Sequence, residues 1–157
     1  MCVLKHEIRA GLGLGNLLLG FNEHEVRDRI GEPNTVNEED FGDGLITRTW
    51  EYEALGLSLT FSEDDEFRLG VITTKNESAT LNGSRIVGIT EQQLLHNQFG
   101  GLGSPVLEDD FEENGRDYYW EKANLMCWIS EGIVDSVSIM PLYDETGQIP
   151  KWPDERT

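Results

Sequence analysis

The most regular feature of this chain is a strict alternation of apolar and polar residues in two short segments. Residues 55–61 read Leu-Gly-Leu-Ser-Leu-Thr-Phe, and residues 125–130 read Leu-Met-Cys-Trp-Ile-Ser. A period of two is typical of a strand with one face in the core and the other toward solvent. The pattern therefore predicts two such strands, and it puts Met126 and Trp128 on the face opposite the core.

The elements that precede these strands also recur along the chain. Gly20 and Gly88 each begin a helical turn and stand 68 positions apart, while the Trp-Glu pairs that begin at Trp50 and Trp120 stand 70 positions apart. Similar sequence at a nearly constant offset indicates a duplicated unit. We expect Trp50 and Trp120, at matching positions, to be core residues of their units.

Capping signals predict one short helix in each unit. Asn22 is a suitable N-cap, and the helix that follows carries Val26 and Ile30 on its apolar side. In the second unit, Thr90 takes the position of the N-cap and Leu94 that of the apolar residue. Each unit is therefore predicted to contain a helical segment as well as strands.

Segments rich in β-branched and aromatic residues predict four further strands. Acidic runs at 38–40, 63–66 and 108–110 are predicted in loops or hairpin tips, because such runs are usually solvated. The four strands are predicted at 46–53, 67–74, 117–122 and 133–140, with a polar spacer at 76–83.

These elements predict an α+β fold of two tandem repeats, each a short helical segment packed on an antiparallel meander. The first repeat is predicted at 1–79, the second at 80–142, and a C-terminal tail at 143–157, with one compact domain as the alternative division. Two such units side by side form one continuous sheet surface. A long sheet surface is better suited to binding a macromolecule than to enclosing a reaction.

The net charge narrows the classes of partner. The chain has 30 acidic and 12 basic residues, a formal net charge of −18. Such a field repels nucleic acid and anionic membrane surfaces and attracts basic proteins. We therefore expect a basic protein partner, no nucleic acid and no membrane; the alternative is that the acidity serves only solubility.

Cysteine usage and the N-terminus bear on the compartment. Cys2 and Cys127 are too few for a disulfide framework, and Cys127 falls on the apolar side of its predicted strand, as a small buried hydrophobe. The first residues lack the apolar core of a secretory signal, and no apolar run reaches transmembrane length. We expect a cytoplasmic protein with reduced thiols.

Catalytic and metal-binding patterns are weak in this sequence. The three histidines have no metal-ligand spacing, and nothing marks a nucleophile or a cofactor, so we expect a non-enzyme without cofactor. One segment resembles a calcium loop, with Asp110, Glu112 and Asn114, then Gly115, and Glu121 at its twelfth position. Glu at the third position and the aromatic strand that follows make calcium binding the less favoured alternative.

One stretch carries a resemblance to a known family. Residues 15–33, Gly-Asn-Leu-Leu-Leu-Gly-Phe-Asn-Glu-His-Glu-Val-Arg-Asp-Arg-Ile-Gly-Glu-Pro, resemble the GMT-x-x-EV-x-x-x-LG-x-P opening of the SmpA/OmlA lipoprotein module. That module occurs duplicated in the β-lactamase inhibitor protein, where a concave sheet grips the partner. The resemblance implies a helix on an antiparallel sheet and no catalytic residues. This sequence lacks both the lipoprotein signal and the paired cysteines of those relatives, which implies a cytosolic, inhibitor-like or immunity-like relative.

The predicted function is therefore stoichiometric binding and neutralisation of a basic toxin or enzyme. Trp and Met are enriched at protein interfaces, and strand alternation also turns one residue of the aromatic run 118–120 outward. A structural or regulatory homo-oligomer and, less favoured, a small-ligand enzyme remain as alternatives, and the protein is expected to be a monomer or a homodimer. The predicted binding residues are Trp128, Met126, Tyr119, Asp64, Asp65, Glu66, Asp109 and Asp110.

Overall fold

The fold consists mainly of antiparallel strands with two short helices. The computed structural model describes residues 4–40, 42 and 44–153. The helices are α1 (Glu23–Ile30) and α2 (Glu91–His96). The strands are β1 (Glu7–Arg9), β2 (Gly13–Leu14), β3 (Leu17–Leu18), β4 (Thr35–Asp40), β5 (Ile46–Tyr52), β6 (Leu57–Ser62), β7 (Arg68–Thr74), β8 (Thr80–Leu81), β9 (Ser84–Arg85), β10 (Val106–Asp110), β11 (Arg116–Trp120), β12 (Leu125–Ser130), β13 (Ile133–Ile139), β14 (Leu142–Tyr143) and β15 (Pro150–Lys151).

The larger sheet has eight strands in the order β10-β11-β12-β13-β7-β6-β5-β4. It contains two four-stranded antiparallel meanders, and their last strands, β7 and β13, pair with each other. In this pairing Ile72 lies opposite Ile139, and Thr74 lies opposite Val137. The α+β, sheet-rich class predicted from the sequence is confirmed.

A second, smaller sheet forms from short strands within residues 7–18 and 80–85, and of these only β8 lies in the predicted polar spacer at 76–83. Its order is β3-β2-β1-β8-β9, and β1 runs parallel to β8 with Ile8 opposite Leu81. Four of these five strands are only two residues long. Such strands leave no measurable periodicity, so the sequence analysis missed this sheet.

One face of the eight-stranded sheet lies in the core. Trp50 and Trp120 are both buried, and Cys127 is fully enclosed, as predicted. These residues belong to the same buried cluster as Val26 of α1 and Leu94 of α2. The core is therefore formed by apolar side chains of both helices and of both meanders.

Each helix begins at a complete capping box. The Asn22 carboxamide oxygen accepts from the Glu25 amide while the Glu25 carboxylate accepts from the Asn22 amide. Thr90 and Gln93 make the same reciprocal pair at α2. Both N-caps are thus confirmed, and each satisfies two amides that the helix itself leaves without partners.

Two acidic runs lie in strands, which corrects the prediction that they form loops. Residues 38–40 belong to β4 and residues 108–110 to β10, the two edge strands of the large sheet. Every residue of these two strands is exposed. A strand with neither face in the core shows no apolar alternation, which is why the pattern resembled a loop. Only the run at 63–66 is a hairpin tip, between β6 and β7.

Candidate protein-binding face

The face of the eight-stranded sheet opposite the core is called here the open face. Residues directly opposite one another in an antiparallel sheet point to the same side, so the register defines the rows of side chains on this face. One row crosses all eight strands. It consists of Thr35, Glu51, Ser58, Thr73, Ser138, Met126, Tyr119 and Val106.

The two halves of the open face differ in chemistry. On β5 to β7 the row contains a carboxylate and hydroxyls, and the Ser58 hydroxyl donates to the Glu51 carboxylate at 2.9 Å. On β11 and β12 the face has Tyr119 directly opposite Met126, with Trp128 two residues further along β12. We call Tyr119, Met126 and Trp128 the aromatic patch. All three are half-buried, so the sheet holds them in place while part of each side chain faces solvent.

Trp128 lies against the backbone of the neighbouring strand. A Cβ at Gly115 would come within 2.5 Å of Trp128 Cζ2, so only glycine leaves room for the indole there. Gly115 also has φ of +136°, a conformation that L side chains rarely adopt. The Phe111 ring, 48% exposed, lies with its centroid 5.9 Å from that of Trp128. The position of the indole is therefore fixed by Gly115 and Phe111.

Tyr119 is anchored by hydrogen bonds at the other end of the aromatic patch. Its hydroxyl donates to the Asn124 side-chain oxygen at 2.7 Å, and the Asn124 amide donates to the Pro141 carbonyl at 2.7 Å. At the junction of the two meanders, the Thr73 and Ser138 hydroxyls share a hydrogen bond of 2.9 Å. These bonds fix the geometry of the open face before any partner arrives.

The predicted acidic residues do not form one surface. Asp64 and Asp65 lie in a 3-10 turn at the β6–β7 tip, followed by Glu66 in the left-handed region with φ of 59°. Asp109 and Asp110 lie on β10. The row that contains Thr73 and Met126 divides the sheet into two ends. The β6–β7 tip lies on one side of this row, and Asp109 lies on the other side. The two acidic groups are therefore at opposite ends of the sheet.

Asp117 is an open-face residue that the sequence analysis missed. It lies between Asp109 on β10 and Trp128 on β12, in a single row. Burial raises the pKa of the Asp117 carboxyl, and the nearby carboxylates of Asp109 and Glu108 raise it further. The outward direction of Tyr119 could have revealed Asp117, because residues two apart in a strand share a face.

Asp110 has a different role from Asp109. Its Oδ1 lies 3.4 Å from Nε of Arg116, and Nη1 of the same arginine lies 2.9 Å from Glu91 Oε1 in α2. Arg116 thus joins the edge strand to the helix. Asp110 contributes to this structural ion-pair group as well as to the acidic edge.

The calcium-loop alternative does not fit the geometry. Asp110 ends β10 and Glu121 follows the last residue of β11, so the length of β11 separates them. Twelve-residue calcium loops require their first and last ligands to converge on one ion. Across the described ranges, no group of three or more His, Cys, Asp or Glu side chains is arranged to hold a metal ion.

Among the described residues, neither helix is long and apolar enough to cross a lipid bilayer. The chain matches no protein-family model, no curated protein sequence and no solved structure.

Proposed function

We propose that this protein is a non-catalytic binding protein that neutralises a basic toxin or enzyme, in the manner of an inhibitor or immunity protein. One observation carries the proposal: a half-exposed aromatic patch stands on a continuous eight-stranded face in a chain of net charge −18. We further propose that Tyr119, Met126 and Trp128 form the centre of the interface, with the acidic residues around it.

The chemistry of the aromatic patch supports this role. Trp and Tyr dominate the energetics of protein interfaces, and Met is enriched there because its flexible thioether adapts to a partner. The indole of Trp128 and the ring of Tyr119 are already held by Gly115 and Asn124. A side chain that is fixed before binding loses little conformational entropy on association, so it contributes more to affinity.

The distribution of charge supports a basic partner. Carboxylates of both edge strands and of the β6–β7 tip surround the open face, and Asp117 stands within it beside Trp128. A complementary field raises association rates by a factor of roughly 10 to 10³ and weakens as salt increases. Acidic residues that lie at both ends of the sheet would guide such a partner over the whole face.

We infer that the two meanders are tandem repeats of one ancestral unit related to the SmpA/OmlA module. Supporting this inference, the Gly20 amide donates to the Leu69 carbonyl and the Gly88 amide donates to the Val134 carbonyl, at 2.9 and 2.8 Å. Each helix thus enters beside the final strand of its own meander. The inferred cytoplasmic compartment is consistent with a buried Cys127 thiol that forms no disulfide.

The test is affinity capture from a lysate of the organism that encodes this chain. The wild-type protein and the double variant Trp128→Ala, Met126→Ala serve as matched baits, each washed at low and high salt. We expect one basic protein on the wild-type bait at low salt, depleted at high salt and absent from the variant. Purified, that protein should lose its activity when mixed with the wild-type chain at equal concentration.

Circular dichroism and thermal melting of the double variant provide the control, since both substituted side chains are half-buried. If the folded variant captures the same proteins as the wild type, the open face is not the interface. If the captured protein keeps its activity in the mixture, neutralisation is wrong even though binding is real.

A further inference from the structure

A cleft of about 330 Å³ opens at the junction between the β6–β7 tip and the chain that follows β13. Its walls combine hydroxyls and one carboxylate with apolar and aromatic surface. Thr60, Ser62 and Asp65 form the polar side, and Met140, Pro141 and Tyr143 form the other. Thr60 and Ser62 are open-face residues of β6, so the cleft belongs to the same face as the aromatic patch.

A β-bulge makes room for the carboxylate of Asp65. Between the pairs Thr60–Val71 and Phe61–Leu69 the register shifts, which leaves Gly70 as the extra residue. A Cβ at Gly70 would lie 3.4 Å from Asp65 Oδ2, so the carboxylate rests directly over this glycine. Bulges are used in this way to redirect side chains near functional sites.

Asp65 lines this cleft, and its side chain is half-buried. Within the described residues its carboxylate takes part in no hydrogen bond and no ion pair. A positive charge, that of Arg68, acts on this carboxylate, and the Arg68 guanidinium lies 5.9 Å from the centroid of the Trp152 ring. Burial raises the pKa of Asp65, the charge of Asp64 raises it further, and Arg68 only partly opposes both. A half-buried carboxylate without a partner is costly to maintain and is stabilised by an incoming cation.

We propose that this cleft binds an arginine side chain of the basic partner. This inference rests on the proposed function and identifies where a positive charge of the partner binds. A guanidinium has five donors in a planar fork, which suits the Asp65 carboxylate together with the Thr60 and Ser62 hydroxyls. It is also weakly hydrated and stacks on aromatic and apolar surface, which the Tyr143 and Met140 side of the cleft provides.

The cleft adjoins the aromatic patch at Asn124. Asn124 lines the cleft and accepts the hydrogen bond of the Tyr119 hydroxyl. An arginine in the cleft would therefore sit next to apolar partner residues packed on Tyr119 and Met126. Neighbouring charged and apolar anchors of this kind are typical of the centre of an interface.

The test uses small probes, so it does not depend on the identity of the partner. N-acetyl-arginine amide is titrated into the ¹⁵N-labelled full chain, with N-acetyl-citrulline amide as the neutral isostere. We expect saturable shifts at residues around the cleft with a dissociation constant of about 1 to 10 mM for arginine and no saturation for citrulline. Nα-acetyl-lysine amide, whose side chain is a cation without the planar fork, should bind at least several-fold more weakly.

Asp65→Asn should abolish saturation, whereas Asp64→Asn removes the same charge from an exposed neighbour outside the cleft and should retain it. Thr60→Tyr, which fills the cleft from a strand position that suits tyrosine, should also abolish it. The proposal is overturned if arginine gives no saturation, if citrulline or lysine binds equally, or if Asp65→Asn behaves like the wild type. Such a failure would leave the capture test of the aromatic patch unaffected, so the two proposals fail separately.

Discussion

Arg48 of β5 and Glu23 of α1 form an ion pair with 2.7 Å between Nη1 and Oε1. Nε of Arg48 also lies 2.9 Å from Glu38 on β4, and its guanidinium lies 4.1 Å from the centroid of the Phe67 ring. Arg48 therefore ties the first helix to β5 and to the edge strand β4.

The second meander has the same arrangement. Arg116 of β11 lies 2.9 Å from Glu91 of α2, and the two pairs span the same 25 positions of sequence. Tyr118, the residue after Asp117, donates its hydroxyl to the same Glu91, and burial, followed by that bond, raises the pKa of Tyr118 to about 12. Each helix thus presents an acidic side chain from its first turn to an arginine of the sheet.

Replacing Arg48 by methionine should destabilise the protein by about 1 to 2 kcal/mol, because two charge-assisted hydrogen bonds are lost while the aliphatic volume is kept. The side chain of Arg48 is 29% exposed and that of Arg116 is 41% exposed. Arg116→Met should therefore cost less. Urea denaturation of both variants measures the difference, and equal losses would mean that burial does not set the strength of these pairs.

Asp117→Asn should stabilise the protein at neutral pH. The raised pKa means that the folded state binds a proton at Asp117 more tightly than the unfolded chain does, so the ionised carboxylate opposes folding. As pH falls below the ordinary aspartate value of 3.8, the wild-type residue becomes protonated in both states and the advantage of asparagine disappears. Urea denaturation at pH 7 and pH 3.5 compares the two proteins.

Glu131→Gln removes one charge from the exposed β12–β13 turn and is the control for net charge. A gain from Asp117→Asn that matches this control, or that persists at pH 3.5, would contradict the assignment to the local environment of Asp117.

The acidic edge of β10 should keep copies of this chain apart. Edge strands have backbone groups without partners, and natural sheets protect them with charged side chains. In β10, 69% of Val106 is exposed, so apolar surface is also available there. Glu108→Thr with Asp109→Thr should therefore produce larger species in sedimentation velocity as concentration rises.

The control for this edge variant is Glu112→Gln with Glu113→Gln. It also removes two negative charges, but from the 3-10 turn between β10 and β11, outside both strands. Self-association of both variants alike would indicate an effect of net charge alone, and association of neither would mean that carboxylates do not protect this edge.

The Cys127 thiol should be inert in the folded protein. It is fully buried, and burial followed by the charge of Asp117 raises its pKa well above the ordinary value, so almost no thiolate forms near neutral pH. In a Cys2→Ser background, a thiol reagent at pH 8 should label the chain only after denaturant is added. Rapid labelling of the native protein would show that β12 opens readily.

Local sequence patterns were sufficient wherever the structure depends on neighbouring residues. The alternation at 125–130 matches β12, and the outward direction of Met126 and Trp128 follows from it. Asn22 and Thr90 were recognisable as N-caps because a capping box involves only four consecutive residues. Cys127 was identified as a core residue from the same periodicity, whereas Trp50 and Trp120 were identified from their matching positions in the two units.

The edge strands and the small sheet could not be predicted in this way. β4 and β10 have no buried side, and β1 pairs with β8 across about 70 residues of chain, so no short window contains the signal. The predicted acidic residues also depend on a long-range contact. The pairing of β7 with β13 places the β6–β7 tip and Asp109 at opposite ends of the sheet, so these residues do not form one site.

The sequence by itself determined which residues are apolar, where the helices begin, which faces of β6 and β12 are buried and how strongly the chain repels anions. Each of these follows from local periodicity, capping chemistry or composition. Only the tertiary structure decided that Asp117 stands beside Trp128 and that Asp65 faces a cleft over the Gly70 bulge. Contacts between distant strands depend on register, and register is fixed by the packing of the whole core.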